Sequence, residues 1–144
     1  MLAQDFQNVA EALAKNNNPA YLRSAVSRAY YAVYNTATEI LRNLGFQVSQ
    51  NANGHMDVIR KLSNAGNINI RKVGIDVGAL ESMRIDADYR LTNPRTKVED
   101  KNTVTLWVLK ARQTLKILED CKSDPVKSEV VAAIKAHEQK ISGH

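Results

Sequence analysis

The stretch MRIDADYR, Met83 to Arg90, sets two arginines, two aspartates and a tyrosine into eight positions of a segment that otherwise carries helical apolar spacing. Two chemistries are open to it. Glu81, Arg84 and Asp88 recur at three and four positions, and Asp86 and Arg90 at four. Ordinary ion pairs along one helix would then account for the charges, at roughly a few tenths of a kcal/mol each. Alternatively the stretch lines a functional cleft between two subunits. A second set fits the cleft. Ser24, Ser27, Arg28, Tyr31, Asn35 and Thr38 recur at three and four and form a polar stripe along one helix. Within it Arg28, Tyr31 and Asn35 are residue types that hold phosphates, stack bases and bond polar edges. Tyr30 falls on the opposite, apolar stripe and is expected in the core, its hydroxyl reaching a polar partner at the edge.

Other chemistries are poorly represented. There is no Gly-rich phosphate loop, CxxC or HExxH pattern, and His55, His137 and His144 are scattered. His55 follows Asn53-Gly54 and reads as a partly exposed residue at a helix N-terminus, and Cys121 as a bystander near a helix end. No metal site and no cofactor are expected. The single cysteine cannot form an internal disulfide.

The elements that must position these residues show helical periodicity throughout. Leu2, Phe6, Val9 and Leu13 line a first helix. Asn18-Pro19 opens a second, long helix with Leu22, Val26, Ala29, Val33, Ala37, Ile40 and Leu44 on one face, stopped by Gly45. His55 to Ala65 reads as a short helix with Met56, Ile59 and Leu62, followed by a connector over Asn67 to Gly74. Ile75 to Leu91 forms the helix of the charged stretch, with Leu80, Met83, Ala87 and Leu91 inward. A charged loop, Arg95 to Asp100, leads to a helix built on Val104, Val108, Ala111, Leu115 and Leu118, with Trp107 beside that stripe. Asp124-Pro125 starts a last helix to about Lys140, whose sparse apolar positions Val130, Ile134 and Ile141 mark it as peripheral. The expected fold is all-α: an up-down bundle of four to five helices over residues 2–122, plus a C-terminal helix over 125–141, in one domain spanning 1–144.

Composition agrees with such a bundle. The 144 residues are 44% hydrophobic and 24% charged, with six glycines and three prolines, and the formal net charge is +5. The pI near 9.4 permits an anionic partner without identifying one. With no apolar run of membrane length and no signal-peptide pattern, a cytoplasmic location and no membrane contact are expected.

RSAVSRAYYAVYNTATEILRNLG, Arg23 to Gly45, followed by RIDADY, Arg84 to Tyr89, resembles the HEPN superfamily. These are helical domains of prokaryotic toxin-antitoxin, CRISPR-associated and phage-defence systems. The likeness is to its small stand-alone branch, with an S-x-x-x-R-A-Y-Y-A second helix and an R-x-x-A-D-Y signature, and covers residues 20–120. The resemblance implies a bundle of four or five helices that forms a homodimer along its long helices. It also implies RNA or a nucleotide as the partner of a cleft at the dimer axis. In ribonuclease members an arginine, followed four to six positions on by histidine, holds the scissile phosphate while the histidine assists proton transfer. Carried over, the arginine is Arg84. Tyr89 stands at the histidine position, and no histidine lies between residues 56 and 136. A tyrosine, titrating ordinarily near 10, is a poor base at neutral pH, and Asp88, paired with Arg84, is the other candidate. RNA binding at Arg28, Tyr31, Asn35 and Arg84 is thus expected, with slow or absent metal-independent cleavage. The competing expectation is a non-catalytic helical interaction protein that docks a partner such as a nucleotidyltransferase-like protein, Arg84, Asp88 and Tyr89 building its interface.

Overall fold

The computed structural model describes residues 1–142; His144 lies outside them. Among the described residues there are six α-helices: α1 (Ala3–Leu13), α2 (Pro19–Asn43), α3 (Asn53–Ser63), α4 (Ile68–Tyr89), α5 (Lys101–Glu119) and α6 (Val126–Ser142). A short 3₁₀ turn, Asp120–Lys122, joins the last two. No strand occurs among the described residues, so the all-α bundle is the observed fold.

α2 is the axis of the bundle and packs on α1, α4 and α5. Asn18 starts it, its side chain accepting the Ala20 N–H at 2.9 Å, and Pro19 occupies the first turn. It ends at Gly45, whose φ of +97° is open to glycine at little cost. Cross-links fix the directions of its neighbours. Arg23, Ser27 and Tyr30 meet the 86–91 segment, Asp88 and Glu81 in turn, so α4 runs antiparallel to α2. Gln7 reaches the Val108 carbonyl, and Lys101 at the start of α5 donates to the Lys15 carbonyl just past the end of α1, so α1 runs antiparallel to α5. The residues these helices share form one buried cluster, with Leu22, Val33, Leu41, Val77, Leu80 and Leu118 at its centre.

Two regions differ from the sequence reading. The expected connector over 67–74 is mostly the first two turns of α4. The Asn67 side chain caps the Asn69 and Ile70 amides, and Ile70, Val73 and Gly74 are buried. An Asn cap with a buried face at its first turn outweighs the low helix propensity of Gly74. Several apolar residues assigned inward are exposed: Leu2, which precedes α1, Val9, Met56, Leu91 and Ile141. Leu91 lies beyond the end of α4 at Tyr89, so the periodicity that placed it no longer applies.

The C-terminal end of α4 is tied down from two sides. Arg23, buried on α2, donates to the carbonyls of Asp86, Ala87, Arg90 and Leu91 and pairs with Glu99 at 2.9 Å. Of these, the Ala87 carbonyl is one that the helix end leaves without an intrahelical partner, the Asp86 carbonyl also takes the Arg90 N–H, and those of Arg90 and Leu91 lie just beyond α4. Asp86, fully buried, accepts the Arg95 and Thr96 amides at 3.0 and 2.7 Å and the Thr96 hydroxyl at 2.5 Å. Burial alone would raise its carboxyl, yet the bonds from Thr96, Arg90 and Arg95 outweigh burial and hold it below the ordinary range. The 95–96 loop is thereby stitched under α4, and α6 closes the far end with Val130 and Ile134 buried.

Candidate functional site

α2 and α4 bring the two sequence-defined sets together around Tyr31. The Arg28 guanidinium lies 5.5 Å from the Tyr31 ring centre and 5.0 Å from Phe6. Arg84 lies 5.4, 5.6 and 5.9 Å from the rings of Tyr30, Tyr31 and Tyr89. These are cation–π separations. Of the residues singled out, Arg28, Tyr31, Arg84, Asp88 and Tyr89 are thus neighbours. Asn35 lies one turn along the same stripe, half-buried, its side chain making no hydrogen bond among the described residues.

The expected ion pairs of α4 are also present. Arg84 is 3.5 Å from Glu81 and 3.9 Å from Asp88, both longer than a good charged hydrogen bond. Asp88 also accepts the Ser27 hydroxyl at 3.1 Å. Arg84 is only 6% exposed, and its buried Nε has no hydrogen-bond partner among the described residues. Tyr89 is 73% exposed, so the ring stands at the surface over the Arg84 charge.

His55 does more than occupy a helix start. It comes from α3, and its Nδ1 lies 2.5 Å from the Tyr30 hydroxyl, which in turn donates to Glu81 at 3.0 Å. Its ring stacks on Tyr34 at 4.4 Å. A histidine therefore stands within the cluster after all, delivered by a neighbouring helix rather than by the Arg84–Tyr89 segment. The approach that places it needs Gly54: a Cβ there would lie 2.2 Å from the Ser49 carbonyl oxygen and 2.5 Å from the Tyr34 hydroxyl.

The electrostatics follow from this packing. Burial lowers the His55 pKa below its usual value, with Glu81 opposing and Arg84 adding to the effect, so the ring is neutral at pH 7. Burial, and then the Glu81 charge, push the Tyr30 phenol far above its ordinary range, so it remains a hydroxyl. With that single proton directed at Glu81, His55 bonds Tyr30 by donating from Nδ1, and Nε2 is left with a free lone pair. The side chain of His55 keeps 19% of its surface exposed. In sum the cluster holds two arginines balanced by two carboxylates, a neutral histidine and four tyrosines.

Sequence reasoning missed His55, Glu81 and Tyr34 as members. A neutral histidine with one helix-start neighbour has no linear signature, because its partners lie 25 and 26 positions away on two other helices. Glu81 was visible as an ion-pair partner of Arg84, and Tyr30 as a core residue seeking a polar contact. Cys121 is buried in the 3₁₀ turn, where burial pushes its thiol up to about 11, consistent with a bystander. Among the described residues no group of His, Cys, Asp or Glu could hold a metal ion, and no helix is long and apolar enough to cross a membrane. No protein-family model, curated protein or solved structure matches the chain.

Proposed function

We propose that the protein is a HEPN-type module that acts as a homodimer and binds RNA, or a nucleotide, through its phosphates at the surface around Tyr31. In this reading any cleavage is carried by His55 rather than by a residue of the Arg84–Tyr89 segment. The observation that carries the proposal is the placement of His55 against Tyr30 and Glu81 beside Arg84. An arginine and a histidine share one cluster, although the linear motif lacks the histidine.

The parts have distinct roles. Arg28, and Arg84 through its unpartnered Nε, supply charge to a phosphate, and Tyr31 and Tyr89 offer faces to a base. Tyr30 and Glu81 hold the His55 ring in the tautomer whose Nε2 can take the proton of a ribose 2′-hydroxyl. Arg84 would move to meet a phosphate, exchanging its long contacts to Glu81 and Asp88. For dimerisation, α4 offers an outer face on which Ile68, Ile75 and, two heptads further on past Ser82, Tyr89 are all exposed. An apolar stripe on the solvent side of a helix already buried on its other side calls for a second partner.

A second reading has its own support. Glu81 and Asp88 already balance Arg84, and the exposed apolar residues Tyr89 and Leu91 flank it. Such a surface suits docking of another protein, for example a nucleotidyltransferase-like one. The test is fluorescence anisotropy with single-stranded RNA between 50 and 200 mM salt. Under the RNA reading affinity falls steeply with salt, and Arg28→Ala lowers both the affinity and the slope. His55→Gln then leaves binding intact and removes any cleavage. Absence of binding at the lower salt concentration favours the docking reading.

A further inference from the structure

A second polar concavity lies at the other end of α2 and shares no residue with the Tyr31 cluster. It is a cavity of about 740 Å³ between the end of α2, the Gly45–Gln50 loop, α3 and Glu138 of α6. Its wall sets three cations, Arg42, Arg60 and Lys61, against two carboxylates, Asp57 and Glu138.

The two carboxylates are not equivalent. Asp57 belongs to the fold: it accepts the Ser49 amide at 2.9 Å, and that bond is the main reason its carboxyl is held below the ordinary range. Glu138 sits on the peripheral α6 with its side chain 40% exposed and lies 3.1 Å from Lys61. The Glu138 carboxylate can turn to water, whereas the buried Lys61 ammonium cannot, so another anion can take the Glu138 place. Lys61 is only 5% exposed, and Glu138 is the one ion-pair partner of its ammonium among the described residues. An ammonium has three donors, and a buried one calls for more compensation than a single part-exposed carboxylate provides. The flanking arginines are also under-used. Arg42 donates to the Val48 carbonyl at 2.8 Å, and Arg60 is 3.6 Å from Asp57, beyond a hydrogen bond.

We propose that this cavity binds a small phosphate-bearing molecule, inorganic phosphate or a phosphomonoester, whose dianion replaces Glu138 on Lys61 and is clasped by Arg42 and Arg60. The charges match. With Glu138 displaced, three cations less the Asp57 carboxylate leave two positive charges, and a phosphomonoester at neutral pH carries about −1.5 to −2. Two guanidinium forks favour the tetrahedral, multi-oxygen phosphate over a simple carboxylate. The volume falls in the range of small-molecule sites, about 300–1,000 Å³, and leaves room for an organic portion.

The site is independent of the RNA reading and is tested by itself. Isothermal titration at low ionic strength uses inorganic phosphate in one arm and ribose 5-phosphate in the other. Saturable binding is expected, tightened about 2–5-fold by Glu138→Gln, which removes the resident competitor. Arg60→Ala, at an exposed position that thermal melting will show to be tolerated, weakens binding about tenfold. Tighter binding of the ester identifies an organic phosphate as the ligand, and equal binding identifies the free anion. No saturable binding of either anion to wild type and Glu138→Gln overturns the proposal, as does binding that Arg60→Ala and Arg42→Ala leave unchanged.

Discussion

Replacing Asp86 by alanine removes the buried acceptor that joins the end of α4 to the loop after it. Three donors lose their partner: the Arg95 amide, the Thr96 amide and the Thr96 hydroxyl. At about 1–1.5 kcal/mol net for each bond the loss is about 3–4.5 kcal/mol. The Arg90 pair adds little, because that side chain is 38% exposed and returns to water. For a chain of this size the melting temperature should then fall by roughly 6–18 °C. Urea unfolding followed by far-UV circular dichroism measures the free energy directly. The acid limb carries a second signature. The folded carboxyl lies below its unfolded value near 4, so its contribution is complete above about pH 4–5 and is lost as pH falls through the folded pKa. The wild type should therefore lose part of its advantage over Asp86→Ala in acid. A variant within about 1 kcal/mol of wild type at pH 7, with a parallel acid limb, would refute the reasoning and mean that water replaces the carboxylate at little cost.

Three further outcomes are expected. Because the folded His55 pKa is lowered, the unfolded chain binds the proton more readily, so wild type should lose stability as pH falls below about 6.5. His55→Gln should lose less between pH 7.5 and 5.5, and an NMR titration placing His55 above 6.5 would contradict this. Gly54→Ala drives a Cβ into the Ser49 carbonyl and should cost about 1–3 kcal/mol while shifting the His55 resonances; unchanged resonances would show that α3 does not depend on that approach. On the outer face of α4, Ile75→Glu should convert a species of twice the 16.0 kDa chain mass into a monomer by light scattering, with little change in melting. A wild type already monomeric at micromolar concentration removes the basis for that assignment.

Helical spacing was legible in the sequence wherever one face is buried and the other wet, because a period of 3.6 leaves a regular apolar stripe. It marked the body of α2, with its Asn18-Pro19 start and Gly45 stop, and the stripe of α5. The ion pairs of Glu81, Arg84 and Asp88 were legible for the same reason, since neighbours at three and four positions meet whatever the tertiary fold. Periodicity was blind to the start of α4. There the apolar residues run around the helix, because one side meets the core and the other stays exposed at Ile68 and Ile75. The spacing showed Asp86 only as the partner of Arg90; its hold on the 95–96 loop and that of Arg23 on the end of α4 were hidden, because most of the partners there are backbone groups, which carry no residue identity. The meeting of Arg28 and Arg84 on Tyr31 required the antiparallel packing of α2 on α4. The arrival of His55 between Tyr30 and Tyr34 required α3 to pass close enough that position 54 has no room for a Cβ. Local order along the chain is set by spacing, whereas groups far apart in sequence are joined only when the buried faces of their helices choose one packing. The tertiary structure therefore decided which polar residues the histidine would meet.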